Sequence, residues 1–424
     1  MKKNKINFYN EDVYYEKIDN GLEIYIVPNN SVNDVFVTFT TKYGGCNYPF
    51  YINNKYMEVP NGIAHFLEHK MFEQKNGMDP FTFYNKSGTY CNAFTNYFNT
   101  SYLFAGCDNF DENLNYLLDY VQEPYFTDES VEKEKGIIEQ ELKMYDDMPD
   151  NIIYERTIYN LFNNHPIKYP VGGTVSDIMK ITKEELYNCY KTFYNPKNMF
   201  IIITGNVDAK HTIDLIKENQ KTKSFEEINI KLKEIEEDDE VSVEKEIIKH
   251  NVAIPYVSYG VKIPVKKFKN IDKKKRNLYL SSIFNILFDE TSIFYEKMKE
   301  ENLLDTPIDI DALDTDEHKV FMLTFKSHNY EKIIEELDNV LKDINITKED
   351  LERKKKVNIS NLLYTFDDIS RTNKLLLNDK IMYDDIHTNI YDILKSMNKE
   401  EMDAIISKLD TNNKSILIIE NQDK

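Results

Sequence analysis

The sequence predicts an α+β fold in two similar domains, each a mixed β-sheet packed against helices. Three features of its 424 residues carry that expectation. Short β-branched and aromatic runs alternate with segments whose apolar residues recur at helical spacing. A stretch dominated by Glu and Lys separates two halves. The segment closing the second half, SILIIEN, echoes MFIIITGN at the close of the first.

The first half opens with strands at 22–27 and 35–41, joined through PNNSVND, whose Pro, Asn and Ser favour a turn. A helix is expected over 60–71, with Pro60 in the first turn, where no amide hydrogen bond is needed. Residues 89–104 are β-branched and aromatic and read as strand. Leu114, Leu117, Leu118 and Val121 repeat at i, i+3, i+4 and i+7, giving a helix closed by Pro124. The next helix runs from Thr127, whose hydroxyl can cap free amides, to about Tyr145, with Asp128 and Glu129 at its positive end. Residues 151–170 read as helix passing into loop, 181–194 as a helix capped by Thr182, and 199–204 as a strand ended by Gly205 and Asn206. The run 221–249, with EEDDE at 236–240, reads as a charged linker, helical in part, between domains at 1–220 and 250–424. The second half offers a strand at 255–261, helices at 278–288 and 330–341, and a strand at 415–419.

Composition narrows the function. Apolar residues at 41% and aromatics at 13% exclude general disorder. A formal charge of -20 leaves no excess of Lys or Arg to displace phosphate counterions, so no nucleic-acid partner is expected. No run approaches the ~20 apolar residues that span a bilayer, so no membrane insertion is expected either. Cys46, Cys91, Cys107 and Cys189 are too scattered for a CxxC metal site or a disulfide framework. The N-terminus reaches Asn, Glu and Asp before an apolar core of a signal peptide could form, and the expected location is the cytoplasm.

The chemistry concentrates in Gly62-Ile63-Ala64-His65-Phe66-Leu67-Glu68-His69. Helical residues four apart rise about 6 Å on nearly one face, so His65 and His69 can present two imidazoles to one ion. Glu68 lies beside both and can reach a metal-bound water, which is the physical content of the inverted HxxEH zinc-peptidase motif. Two histidines that merely neighbour a carboxylate are the bland alternative. A third ligand is sought in TDESVEKEKGIIEQELKMYDD at 127–147. Projected at about 100° per residue, Val131, Glu134, Ile137, Ile138, Glu141, Leu142 and Tyr145 share a face, with the two glutamates near its centre. A carboxylate amid apolar residues needs a metal or a charged partner. Glu141 is read as the third ligand and Glu134 as the carboxylate that orients a ligand or helps proton transfer; a nearby Arg, Lys or backbone group is the other way to satisfy them.

Several ordered motifs extend this pattern: NGIAHFLEHKMFE at 61–73, CNAFTNYFNTSYLF at 91–104 and VQEPYFTDESVEKEKGIIEQELKMYDD at 121–147, continuing more weakly to about 208. In them the chain resembles the pitrilysin and insulinase family of zinc peptidases, particularly a bacterial two-domain branch. The resemblance implies the pitrilysin and mitochondrial processing peptidase-like fold, zinc held by His65, His69 and Glu141, Glu68 as general base and Glu134 as supporting acid. It also implies that Asn92 and Ala93 lie on a strand edge that binds an extended substrate. The second half has no HxxEH, so the resemblance implies assembly with a related, metal-free paralogue; a homodimer or single-chain activity stays open. The expected reaction is hydrolysis of short or unfolded peptides in a closed chamber.

The alternatives are a non-catalytic peptide-binding subunit and a structural metal protein, though a structural zinc normally has a fourth protein ligand and none is evident. His165 and Asp177 read as structural loop residues and Gly172-Gly173 as a tight turn. His250, His318, His328 and His387 are too scattered for a second metal site.

Overall fold

The computed structural model describes residues 2–6, 11–46, 48–52, 54–227 and 229–422. They form two compact units, and each takes chain from both halves of the sequence. The first holds Met1–Leu142, Tyr169–Glu234 and Leu362–Asn389; the second holds Lys143–Lys168, Ile235–Asn361 and Ile390–Lys424.

The strands of the first unit are β1 (Lys2–Ile6), β2 (Glu11–Lys17), β3 (Glu23–Pro28), β4 (Val35–Thr41), β5 (Phe50–Ile52), β6 (Lys55–Met57), β7 (Tyr90–Thr95), β8 (Thr100–Gly106), β9 (Met199–Gly205) and β10 (Lys231–Leu232). Seven make one sheet in the order β1-β2-β3-β9-β4-β8-β7, and β10-β5-β6 make a smaller one. In the large sheet β3 and β9 are parallel and the other neighbours antiparallel. β9 is buried along its whole length, as its unbroken apolar run MFIIITG requires.

The second unit has β11 (Lys245–His250), β12 (Tyr256–Pro264), β13 (Asp309–Asp314), β14 (His318–Lys326) and β15 (Lys414–Asn421), in the order β11-β15-β12-β14-β13. β11 and β15 are parallel and the rest antiparallel. That is the order and sense of β3-β9-β4-β8-β7. The echo between MFIIITGN and SILIIEN therefore has a structural basis, because the two segments supply the equivalent strands β9 and β15.

The helices explain why the units do not follow the expected single cut with domains at 1–220 and 250–424. In the first unit the Ile369–Tyr383 helix packs on β4 and β9. Its Asn373 side chain donates to the carbonyls of Phe36 and Ile202, at 3.2 and 3.0 Å, and accepts from Thr38 Oγ1 at 2.8 Å. In the second unit the Pro149–Leu161 helix packs on β12 and β15. Gly260 of β12 leaves the space this needs: a Cβ there would stand 3.0 Å from Leu161 Cδ1 and 3.1 Å from Thr157 Cγ2.

Other expectations shift locally. Residues 89–104, expected as strand, supply the hairpin of β7 and β8. The metal-motif helix begins at Ile63, three residues beyond Pro60, because Gly62 in the left-handed region (φ 82°) ends the preceding turn. Thr182 caps as expected, in a capping box with Glu185, and Thr127 Oγ1 accepts from the Ser130 amide at 3.1 Å. Among the described residues of 222–249 there is no helix. Its part from Ile235 onward is pinned in the second unit by Glu237, whose side chain is fully buried and accepts from Lys262 Nζ at 2.5 Å. The amides of Asn163, Asn164 and His165 donate to the same carboxylate at 2.8, 2.7 and 2.7 Å.

Candidate metal centre and active site

All five residues of the expected centre lie in the first unit, on two helices, Ile63–Met71 and Asp128–Asp146. The first helix buries Ile63, Ala64, Phe66, Leu67 and Met71, which leaves His65, Glu68 and His69 along its less buried side. Lys70, 1% exposed, ties the two helices by donating to Ser130 Oγ at 3.0 Å and pairing with Glu73. The second helix buries Val131, Lys135, Ile138 and Leu142. Glu134 and Glu141 therefore flank the buried stripe and do not occupy its centre, since Ile137 and Tyr145 are exposed.

The donor atoms converge. Ligand atoms of His65, His69 and Glu141 all lie within 4.8 Å of one another. His69 Nε2 is 3.4 Å from Glu141 Oε2, and His65 Nε2 is 3.8 Å from Glu141 Oε1. Ligands at zinc bond lengths in a tetrahedron stand about 3.3 Å apart, and the 3.4 and 3.8 Å separations of Glu141 from the two imidazoles lie close to that spacing. Two imidazoles and one carboxylate are also a donor set that leaves a fourth position open. His69 Nδ1 lies 3.0 Å from Glu134 Oε1, which fixes Nε2 as the nitrogen turned to the centre. His65 Nδ1 is buried without a hydrogen-bond partner.

The electrostatics match a cation site. Burial, with His69 beside it, pushes His65 down to about 4, so its imidazole is neutral at ordinary pH. Burial also works to lower His69, but the hydrogen bonds to Glu134 and Glu141 outweigh it and hold the imidazolium up to about 9. Burial raises Glu68, against the opposing pull of Thr95 and His69. Thr95 Oγ1 donates to Glu68 Oε2 at 2.6 Å, a contact between helix and strand that no local sequence pattern announces.

Close backbone approach holds the entrance to the first helix. A Cβ at Gly62 would stand 2.2 Å from the Gly172 carbonyl oxygen, and one at Gly172 would stand 2.7 Å from Leu142 Cδ2 and 3.7 Å from His65 Nδ1. Gly172 and Gly173, expected only to make a tight turn, thus form the surface on which Asn61 and Gly62 rest.

Asn92 and Ala93 lie on β7, the outer strand of the large sheet, whose outer edge has no neighbouring strand among the described residues. Asn92 Nδ2 donates to Tyr90 OH at 2.7 Å, and the Ala93 amide donates to Asn92 Oδ1 at 2.9 Å. By strand alternation the Ala93 side chain shares the face of Thr95, while that of Asn92 points to the opposite face. His165 and Asp177 do not join the centre. The His165 Nδ1 accepts from the Ile167 amide at 3.1 Å, and Asp177 closes a capping box with Thr174.

Comparison with known proteins places these features. Residues 56–175 match the Insulinase (Peptidase family M16) domain, and residues 180–358 match the Peptidase M16 inactive domain. A Bacillus subtilis (strain 168) protein described as uncharacterized zinc protease YmfH is 42% identical over 306 residues, 71% of each chain. The chain belongs to the insulinase (M16) peptidase family. A Rickettsia felis protein described as an uncharacterized zinc protease is 29% identical over 202 residues, 47% of each chain. Among solved structures, an M16-like peptidase from Alicyclobacillus acidocaldarius has a TM-score of 0.90 at 28% identity, covering 96% of this chain and 98% of its own. A Helicobacter pylori protease shares the fold, with a TM-score of 0.84 at 17% identity over 96% of this chain and 99% of its own.

Proposed function

We propose that this M16 chain is a zinc-dependent metalloendopeptidase that hydrolyses short or unfolded peptides. The observation that carries the reading is the convergence of His65 Nε2, His69 Nε2 and the Glu141 carboxylate beside a glutamate anchored on its own. In this reading His65, His69 and Glu141 hold zinc. When bound, zinc supplies Lewis acidity, which acidifies a water at the open position and polarises the peptide carbonyl.

Glu68 takes a proton from the attacking water and returns one to the departing amine, a contribution typically worth ~10²–10⁴-fold. Glu134 holds the Nδ1–H of His69 and so keeps Nε2 aimed at the metal. The free edge of β7 at Asn92 and Ala93 accepts an extended peptide as an added strand. Folded substrates have their backbone groups already paired, which favours short or unfolded chains.

A related subunit without the metal motif is the proposed partner; an Arabidopsis thaliana relative, 27% identical over 164 residues, carries the name of a mitochondrial-processing peptidase subunit. A cytoplasmic location is proposed from the cysteines, which are scattered along the sequence and, except for Cys107, buried. No helix among the described residues is long and apolar enough to cross a membrane.

The test is zinc analysis together with hydrolysis of an unstructured peptide library by the native protein and Glu68→Gln, each with its candidate partner. One zinc per chain and loss of turnover in the variant are expected. Zinc with equal turnover by both proteins would overturn the assigned base. Zinc and peptide binding without turnover by either would favour a non-catalytic peptide-binding subunit.

A further inference from the structure

We infer that Thr95 is a positioning residue that holds Glu68 in register with the peptide-binding edge of β7. The inference rests on the proposed peptidase reading and adds to it the group through which strand and base are joined.

Thr95 is the last residue of β7, two positions beyond Ala93 and on the same face of the strand. Its hydroxyl is 2.6 Å from Glu68 Oε2 and 3.2 Å from Thr100 Oγ1. Thr100 Oγ1 donates its single proton to the Tyr43 carbonyl at 2.9 Å. The Thr95 proton is then left for Glu68, and the hydrogen bond runs from threonine to carboxylate. With Oε2 accepting this bond, Oε1 is the oxygen free to take a proton from water and to give it up again.

The hairpin that presents Thr95 is held on both sides. Asn96 Oδ1 accepts from the amides of Phe98 and Asn99 at 2.9 and 3.0 Å. Gly45 N donates to Asn96 O at 2.8 Å, and Cys46 N donates to Tyr97 O at 2.7 Å. The turn lies so close to Gly44 that a Cβ there would stand 2.3 Å from Asn96 O. Thr95 is therefore fixed by the sheet and not by Glu68. A peptide added along β7 and the carboxylate that activates water share one rigid reference.

Kinetics on the full chain with its partner test this, comparing native protein, Thr95→Val, Thr95→Ser, Glu68→Gln and the double variant Glu68→Gln/Thr95→Val. Valine keeps the β-branched shape and removes the donor. The expected result is a fall in kcat of about 10- to 100-fold, KM changed by less than about twofold, and zinc content unchanged. Serine should restore most of the rate. In the Glu68→Gln background Thr95→Val should cost nothing further, because both changes disable one unit. If valine disturbs the hairpin, seen as a lowered melting temperature, Thr95→Ala carries the same comparison.

A Thr95→Val enzyme with near-native kcat, a serine variant as slow as valine, or the same loss in the Glu68→Gln background would overturn the role of Thr95. A slow Glu68→Gln beside a fast Thr95→Val overturns this inference alone. A fast Glu68→Gln removes the base assignment and this inference with it.

Discussion

Glu134 Oε1 stands 3.0 Å from His69 Nδ1 and decides which nitrogen of that ring faces Glu141. Removing such a partner leaves the ring free to turn and makes its lone pair less basic. Glu134→Ala is expected to weaken zinc binding by about 10- to 100-fold without unfolding the protein. Glu134→Gln, which keeps an acceptor but loses the charge, should fall between alanine and native. Chelator competition measures all three, and equal affinities would show that Glu134 does not orient His69.

The glycines around the first helix are not interchangeable. Gly62 combines a φ of 82° with a carbonyl oxygen 2.2 Å from where a Cβ would go, so Gly62→Ala meets both backbone strain and a clash. A loss of at least ~2 kcal/mol is expected, with weaker zinc binding because His65 lies one turn away. Gly136 lies exposed within the Asp128–Asp146 helix, and a Cβ there would have nothing within 4 Å. Gly136→Ala should stabilise by ~0.5–1 kcal/mol. Thermal melting should move in opposite directions for the two variants.

The contrast between these glycines mirrors what was legible in the sequence. Helical spacing is a local property, so the alignment of His65, Glu68 and His69, and the two turns of helix between Glu134 and Glu141, could be read from residue order. What could not be read was the surface each element meets. Ile137 and Tyr145 looked like partners in a buried stripe yet are exposed, because packing is centred on Lys135 and Ile138. Thr95 reaches Glu68 only after a strand is laid beside a helix. The Ile369–Tyr383 helix and Asn373 belong to a sheet more than 160 residues earlier in the chain, and nothing in its own periodicity names that sheet. Glu237 sits in a charge-rich run that reads as a linker, yet its carboxylate is wholly buried.

Asn373 gives a direct measure of the helix on the first sheet. Its amide makes three hydrogen bonds, two of them buried, to Thr38 and Ile202, and a part-buried one to Phe36. Asn373→Leu is close in size but leaves two carbonyls and one hydroxyl without this partner. The expected cost is ~2–4 kcal/mol, since each buried polar group left unsatisfied costs ~1–3 kcal/mol and some will find water. Hydrogen exchange should show β4 and β9 protected less, while the second unit's β12 and β15 keep their protection.

Lys262 and Glu237 make the sharpest case for order among substitutions and for pH. The carboxylate accepts from one ammonium and three amides, while Lys262 Nζ has in addition the Glu240 carbonyl at 3.2 Å. Lys262→Met leaves the carboxylate with its three amides. Glu237→Leu leaves the ammonium with the Glu240 carbonyl alone and all three amides without this acceptor, so it should cost at least the ~3–5 kcal/mol typical of breaking a buried pair. Burial acts to raise the Glu237 carboxyl, but Lys262 and the amides outweigh it and hold it below the ordinary carboxylate value. The unfolded chain therefore binds this proton more readily than the folded one. The stabilisation is complete above the unfolded value of about 4.3 and is lost as pH falls from there through the depressed folded value. Melting temperatures at pH 7 and in steps below pH 4 should show native protein and Glu237→Leu drawing together as the medium becomes more acid. A gap that stays constant to the lowest pH would mean that the charge on Glu237 contributes nothing to holding the second unit.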